Sequence, residues 1–180
     1  MKTLMPALLG AACAVALAFP AQAELKAGDA APEFTADAYL AGEGFTFELA
    51  EALEQGPVVV YFFPAANTPG CNLEASLFSR AIEDFAAHGA SVIGVTAGNV
   101  DQLAAFSNDT STCAGKFPVA ADPGARIAGE YEAVLDSKPE WASRTSYAIA
   151  PDGTIVAAYT DMNPSRHVRE MLAAVEKLDD

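Results

Sequence analysis

Val58-Val59-Val60-Tyr61-Phe62-Phe63-Pro64-Ala65-Ala66-Asn67-Thr68-Pro69-Gly70-Cys71 is the stretch on which the reading of the whole chain turns. Its β-branched and aromatic run predicts a strand that Pro64 ends, and the amphipathic pattern beginning after Thr68 predicts a helix. A strand therefore delivers a cysteine to a helix start. Thr68 is a favoured N-cap type, which puts Pro69 at the first helical position and Gly70 and Cys71 in the first turn. Backbone amides in a first turn have no partner inside the helix, so they can receive an anion, either a thiolate or a substrate oxygen. An ordinary thiol, with a pKa near ~8.5, is only about 3% ionised at neutral pH, and the thiolate is the nucleophile. Bringing such a pKa down to ~6 takes roughly 3–4 kcal/mol. A helix terminus supplies at most about 2 kcal/mol. A cation is expected beside the sulfur.

Working outward, Val58 to Phe63 is apolar on both faces and reads as an interior strand. Behind it, Leu73, Leu77, Phe78, Ala81, Ile82 and Phe85 recur at helical spacing until His88-Gly89, where glycine ends the helix. Ser91 to Thr96 is the next strand, and Asn99 to Phe106 a helix capped by Asn99. The polar loop Ser107 to Thr112 precedes Cys113, and Phe117 to Ala120 is strand-like, with Pro118 pointing to a sheet edge or a strand start. Asp122-Pro123-Gly124 turns into a short helix ending near Tyr131.

Glu132 to Ser143 is the least readable segment, and its Trp141 is assigned to packing. Arg144 to Ala150 reads as a strand, Pro151-Asp152-Gly153 as a hairpin turn, and Thr154 to Thr160 as the partner strand. Asn163-Pro164 caps a closing helix with Val168, Met171, Leu172, Val175 and Leu178 on one face. Upstream, Gly28 to Thr35 is an extended opening segment in which Pro32 forbids a helix. Phe45 to Leu49 alternates as a strand, with a helical turn from Leu49 to Leu53. The plan is α/β with a central mixed sheet flanked by helices.

Met1-Lys2-Thr3, the apolar run Leu4 to Phe19 and Ala21-Gln22-Ala23 have the three parts of a secretory signal peptide. Residues 1–23 are accordingly expected to be removed, leaving 24–180 as one domain in the periplasm or outside the cell. That length can build a core without staples. Acidic residues outnumber basic ones 24 to 10, which argues against nucleic acid or an anionic membrane as partner. Cys13 leaves with the signal peptide, so Cys71 and Cys113 remain. In an exported protein that pair is also compatible with a plain structural disulfide. There is no Cys-x-x-Cys, and His88 and His167 lack ligand-like spacing, so a protein metal site is not expected.

The spacing Pro64-x-x-x-Thr68-x-x-Cys71 resembles the active-site motif of the peroxiredoxins, and Thr68-Pro69-Gly70-Cys71 followed by Glu74 resembles the bacterioferritin-comigratory, or Prx Q, branch. The likeness runs from about Leu25 to Leu178. It implies a thioredoxin-like fold and a thiol peroxidase that needs no cofactor. Cys71 is the implied attacking thiolate and Thr68 a hydrogen-bond partner of the peroxide. Pro64 is a shield against bulk water, and Arg144, in an Arg-Thr-Ser strand, is the active-site arginine. Arg144 is thus the expected cation, its alternative being a solvated strand end. Glu74 would orient Arg144, or else stand exposed near the helix N-terminus.

The commonest pattern of the branch departs here, because Ser76 stands where its resolving cysteine would be. Other members place that thiol after the third strand, and the resemblance therefore implies a Cys71–Cys113 disulfide. A hydroperoxide substrate, a thioredoxin-like or other dithiol reductant and a monomeric state are implied likewise. An exported redox sensor or interaction module on the same fold is the alternative reading.

Overall fold

The computed structural model describes residues 25–178; the expected signal peptide lies outside them. The chain order is β1 (Thr35–Leu40), β2 (Glu43–Glu48), α1 (Leu49–Leu53), β3 (Val58–Phe62), α2 (Pro69–Ala87), β4 (Ser91–Thr96), α3 (Leu103–Asn108), β5 (Val119–Ala121), α4 (Arg126–Glu130), β6 (Val134–Leu135), β7 (Lys138–Ala142), β8 (Thr145–Ile149), β9 (Ile155–Thr160) and α5 (His167–Val175). Seven strands form one sheet in the order β2-β1-β5-β4-β3-β8-β9, and β6 and β7 make a separate hairpin. β3, β4 and β5 run parallel, while β8, β9, β1 and β2 join antiparallel. This is the mixed α/β plan expected from the sequence.

β3 occupies the interior because all five of its side chains are buried. Strand alternation sends Val58, Val60 and Phe62 to one face and Val59, Tyr61 and Phe63 to the other. The first set meets α1, α4, Phe34, Phe47 and Tyr131. The second meets α2, α3 and α5 through Phe78, Phe85, Phe106 and Met171, and both cysteines lie in that layer. Each large side chain buried in this way contributes about 1.5–3 kcal/mol relative to exposure. Tyr61 is held by rings, stacked on Phe78 at 4.4 Å and on Phe63 at 5.4 Å. Its hydroxyl, within the core, has no hydrogen-bond partner among the described residues.

α2 ends as its sequence predicts. Gly89 takes a φ of 66°, Ala90 N donates to Phe85 O, and Gly89 N donates to Ala86 O. These are the paired bonds of a Schellman stop, which needs a residue at ease in left-handed backbone.

The expectations for Leu73 and Asn99 are corrected, and others are completed or narrowed. Leu73, placed on the apolar face of α2, is 48% exposed, and Glu74 is the buried neighbour. The extended opening segment runs on into β1, which pairs on both sides. β5 is interior, so Pro118 marks a strand start and not an edge: its carbonyl accepts from Gly94 N just before pairing begins. Asn99, expected as a cap, has a φ of 56° and makes no capping bond; a 3₁₀ turn over Val100–Gln102 precedes α3. The unreadable segment contains the β6–β7 hairpin, where Trp141 is half-buried and Lys138 Nζ lies 3.2 Å from its ring centre. No helix of the described residues is long and apolar enough to cross a membrane.

Candidate active site

Between β3 and α2 the chain crosses Pro64 to Thr68, and this loop is held almost wholly by its neighbour after β4. Ala65 bridges to Gly98, Ala66 N donates to Gly98 O, and Thr96 Oγ1 donates to Pro64 O at 3.1 Å. Asn99 Nδ2 donates to Ala66 O at 2.8 Å, and Asn67 Nδ2 donates to Gln102 Oε1 at 2.6 Å. Asn67 supplies the left-handed residue the turn needs, with a φ of 59°. Thr68 stands at the N-cap with extended backbone, but its hydroxyl does not cap the helix. It donates back to Ala65 O at 3.0 Å instead, which leaves its oxygen lone pairs free to accept. Pro64 is half-buried at the foot of this turn.

Cys71 follows in the first turn of α2, 2% exposed. Arg144, at the start of β8, is brought against it by the antiparallel pairing of β8 with β3, in which Thr145 faces Phe62. The guanidinium is used on three sides. Nη2 donates to Cys71 Sγ at 3.4 Å, Nε donates to Met162 O at 3.0 Å, and Nη1 pairs with Glu74 Oε2. Arg144 is thus a buried cation in contact with the sulfur, and Glu74 is its buried partner, not an exposed first-turn carboxylate. A fixed positive charge beside a thiol favours the ionised form. Burial pushes the Glu74 carboxyl up to about 8, against the pull of Arg144.

Cys113 lies in the turn after α3, in the same buried layer as Cys71, and is completely buried. Cys71 and Cys113 are both unbridged. Burial raises the Cys113 thiol well above its ordinary range, and nearby Asp109 adds to the rise.

One residue of the cluster escaped the sequence reading. His167, the first residue of α5, is fully buried, and its Nδ1 is 3.6 Å from Glu74 Oε1. The signal available was helical phase, since His167 shares a face with Met171, Ala174 and Val175, all of them buried.

Residues 27–158 match the AhpC/TSA family. The chain is 29% identical over 157 residues to a chloroplastic peroxiredoxin Q of Populus jackii, covering 87% of this chain and 70% of that protein. It is 30% identical over 153 residues to a Mycobacterium tuberculosis chain named as a peroxiredoxin, covering 82% of this chain and 92% of the other. Among solved structures it is similar to the peroxidoxin BcpB of Mycobacterium tuberculosis, with a TM-score of 0.74 and 26% identity, covering 86% of this chain and 99% of that one. The reduced 2-Cys peroxiredoxin of Plasmodium vivax shares the fold with a TM-score of 0.74 at 19% identity.

Proposed function

The chain belongs to the AhpC/TSA family, the peroxiredoxins, which are thiol-dependent peroxidases, and we propose that it reduces hydroperoxides through Cys71. The observation that carries this reading is the 3.4 Å contact between Arg144 Nη2 and Cys71 Sγ, with the arginine immobilised by Glu74 and the Met162 carbonyl.

Cys71 acts as thiolate on the terminal oxygen of ROOH. An S–O bond forms, the O–O bond breaks, and the leaving oxygen departs as ROH once it takes the peroxide proton, giving Cys71 sulfenate or its acid. Thr68 Oγ1 accepts from the hydroperoxide O–H, while the first-turn amides and the guanidinium meet the charge that grows on the leaving oxygen. Pro64 limits the access of water. Cys113 then attacks the Cys71 sulfenic acid, forming the disulfide and releasing water, and a thioredoxin-like dithiol returns both thiols. Because both cysteines are buried, that second step requires the first turn of α2 and the turn carrying Cys113 to open, and opening also relieves the burial that suppresses the Cys113 thiolate. The protein acts as a monomer, exported after cleavage near Ala23.

The test is stopped-flow consumption of hydrogen peroxide and an alkyl hydroperoxide by the mature chain, with thioredoxin and its reductase supplying electrons. Multiple turnovers lost in Cys71→Ser are the expected result. Slow, stoichiometric consumption would replace the enzyme with a sensor. Mass spectrometry of the peroxide-treated chain should find a linked Cys71–Cys113 peptide, and two unlinked cysteines would mean a one-cysteine cycle.

A further inference from the structure

The polar cluster does not end at Glu74. His167 Nε2 is 2.8 Å from the carbonyl oxygen of Asp161. A carbonyl only accepts, so Nε2 carries the ring hydrogen and donates it. In the neutral ring Nδ1 is therefore an acceptor. Ser146 Oγ donates to it at 2.8 Å, and Glu74 Oε1 faces it at 3.6 Å. That oxygen is buried and has no hydrogen-bond partner among the described residues. As a carboxylate oxygen it would confront a lone pair, at the cost of an unsatisfied buried charge. As the O–H of a carboxylic acid it would, after a small rotation, take the single Nδ1 lone pair in place of the Ser146 hydroxyl.

The charge balance of the cluster points the same way. With Glu74 ionised and His167 neutral, Arg144 is neutralised only while Cys71 keeps its proton. Once Cys71 is a thiolate, one negative charge is left over in a buried site. We infer that Glu74 and His167 hold one proton between Oε1 and Nδ1, bound as Cys71 ionises, so that His167 is a positioning residue for the thiolate. The S–H bond breaks and an O–H bond forms on the pair, with no electron transferred. Exchange through solvent suffices, because the coupling is an equilibrium one.

Burial raises Glu74 to about 8 and lowers His167, which places the shared proton on the carboxyl. The groups facing His167 are Glu74 from α2, Arg144 and Ser146 from the β8 strand and its start, and Tyr159 and Asp161 from β9 and its end. From its own turn come Arg166 and Glu170, which pair with each other. The Tyr159 ring meets the imidazole edge-on at 4.8 Å, and Arg166 lies over that same ring at 5.5 Å. Asp161 turns its carboxylate to Asn163 N and Tyr159 Oη. Glu74 alone among these carboxylates offers the ring an unpaired oxygen.

The inference rests on the peroxidase reading only in naming Cys71 as the reacting thiol, and its test uses no peroxide. In a Cys113→Ser background, the rate of iodoacetamide alkylation of Cys71 is followed against pH. His167→Phe, which removes the acceptor, moves the midpoint up by about one pH unit, roughly a tenfold loss of rate at pH values well below the wild-type midpoint. His167→Asn, whose Oδ1 stands near the place of Nδ1, restores most of it. A uniform loss at every pH with an unmoved midpoint would reduce His167 to a packing residue and overturn the inference. Independently of whether those variants fold, the ¹⁵N resonance of His167 Nδ1 in reduced protein should change its pH response in Cys71→Ser. Superimposable curves would also overturn it. Failure of peroxide turnover in the wild type would sink the enzymatic reading and leave both titrations to be judged by themselves.

Discussion

A side-chain carbon built on Gly70 would stand 3.0 Å from Arg144 Nη2: the guanidinium crosses the first turn of α2 at the residue that has no Cβ. Gly70→Ala must push the cation a few tenths of an ångström from the sulfur. The expected result is a drop of about tenfold in the second-order rate with peroxide, equivalent to about 1.4 kcal/mol. Arg144→Lys, which cannot serve sulfur, carboxylate and carbonyl at once, should fall by about 10²-fold or more. Stopped-flow fluorescence measures both, and rates equal to wild type would remove Arg144 from the chemistry.

Glu74 makes stability depend on pH in a direction opposite to most carboxylates. Its folded-state value of about 8 lies above its ordinary 4.5, so the folded chain holds the extra proton between those values. That contribution is complete below about 4.5 and disappears as pH rises through about 8. His167 is lowered by burial, so its contribution is lost on the acid side, below its ordinary range. From pH 6.5 to 8 the Glu74 trend stands apart in a Cys71→Ser background, where no thiolate offsets the bound proton, and that variant should lose about 2 kcal/mol across the window. Urea titrations should give a flatter profile for Glu74→Gln in the same background, and parallel profiles would refute the assignment.

Native-state alkylation should separate the two thiols. Cys71 lies against a cation, whereas Cys113 is buried and its thiol is raised. Below about pH 8 iodoacetamide should label Cys71 at least tenfold faster. Peptide mapping after timed quenching reads the ratio, and equal labelling would contradict the geometry.

β3, α2, β4 and the β8–β9 hairpin were legible because their signals are local: an apolar run, helical phase, a glycine stop and an aspartate-glycine turn. The association of Cys71 with Arg144 was legible only through family resemblance, since the two meet by strand pairing across the sheet. β1 was not legible. Its buried face is Ala36 and Ala38, small residues with weak strand preference, and the strand exists because β2 and β5 pair with it. The β6–β7 hairpin was hidden by Pro139 and by having little core to point at. Metal-ligand spacing says nothing of His167, whose burial follows from the phase of α5.

Gly98 is predicted to be as important to the Pro64 turn as any residue within it. A Cβ there would lie 2.4 Å from Pro64 O and 2.7 Å from Ala65 Cβ, distances that force the loop to move. Gly98→Ala should keep the fold by circular dichroism yet lower peroxide reactivity by about tenfold or more. Unchanged kinetics would show that the turn tolerates displacement.

Tyr61→Phe removes a core hydroxyl that has no partner among the described residues and keeps the stacked rings. Thermal or urea unfolding should show equal or higher stability, by up to about 1–2 kcal/mol. A loss above that size would reveal a hydrogen bond made by that hydroxyl.

The sheet divides this molecule into a chemical half and an inert half. The buried sulfur-bearing side chains Cys71, Cys113 and Met171 belong to the layer under α2, α3 and α5, while the opposite layer is built from aliphatic, alanine and aromatic side chains. An oxidant admitted at Cys71 therefore meets a bulkhead of seven strands before it can reach the packing of α1 and α4. In the proposed cycle the side carrying Cys71 and Cys113 opens and closes while the other keeps the chain in register.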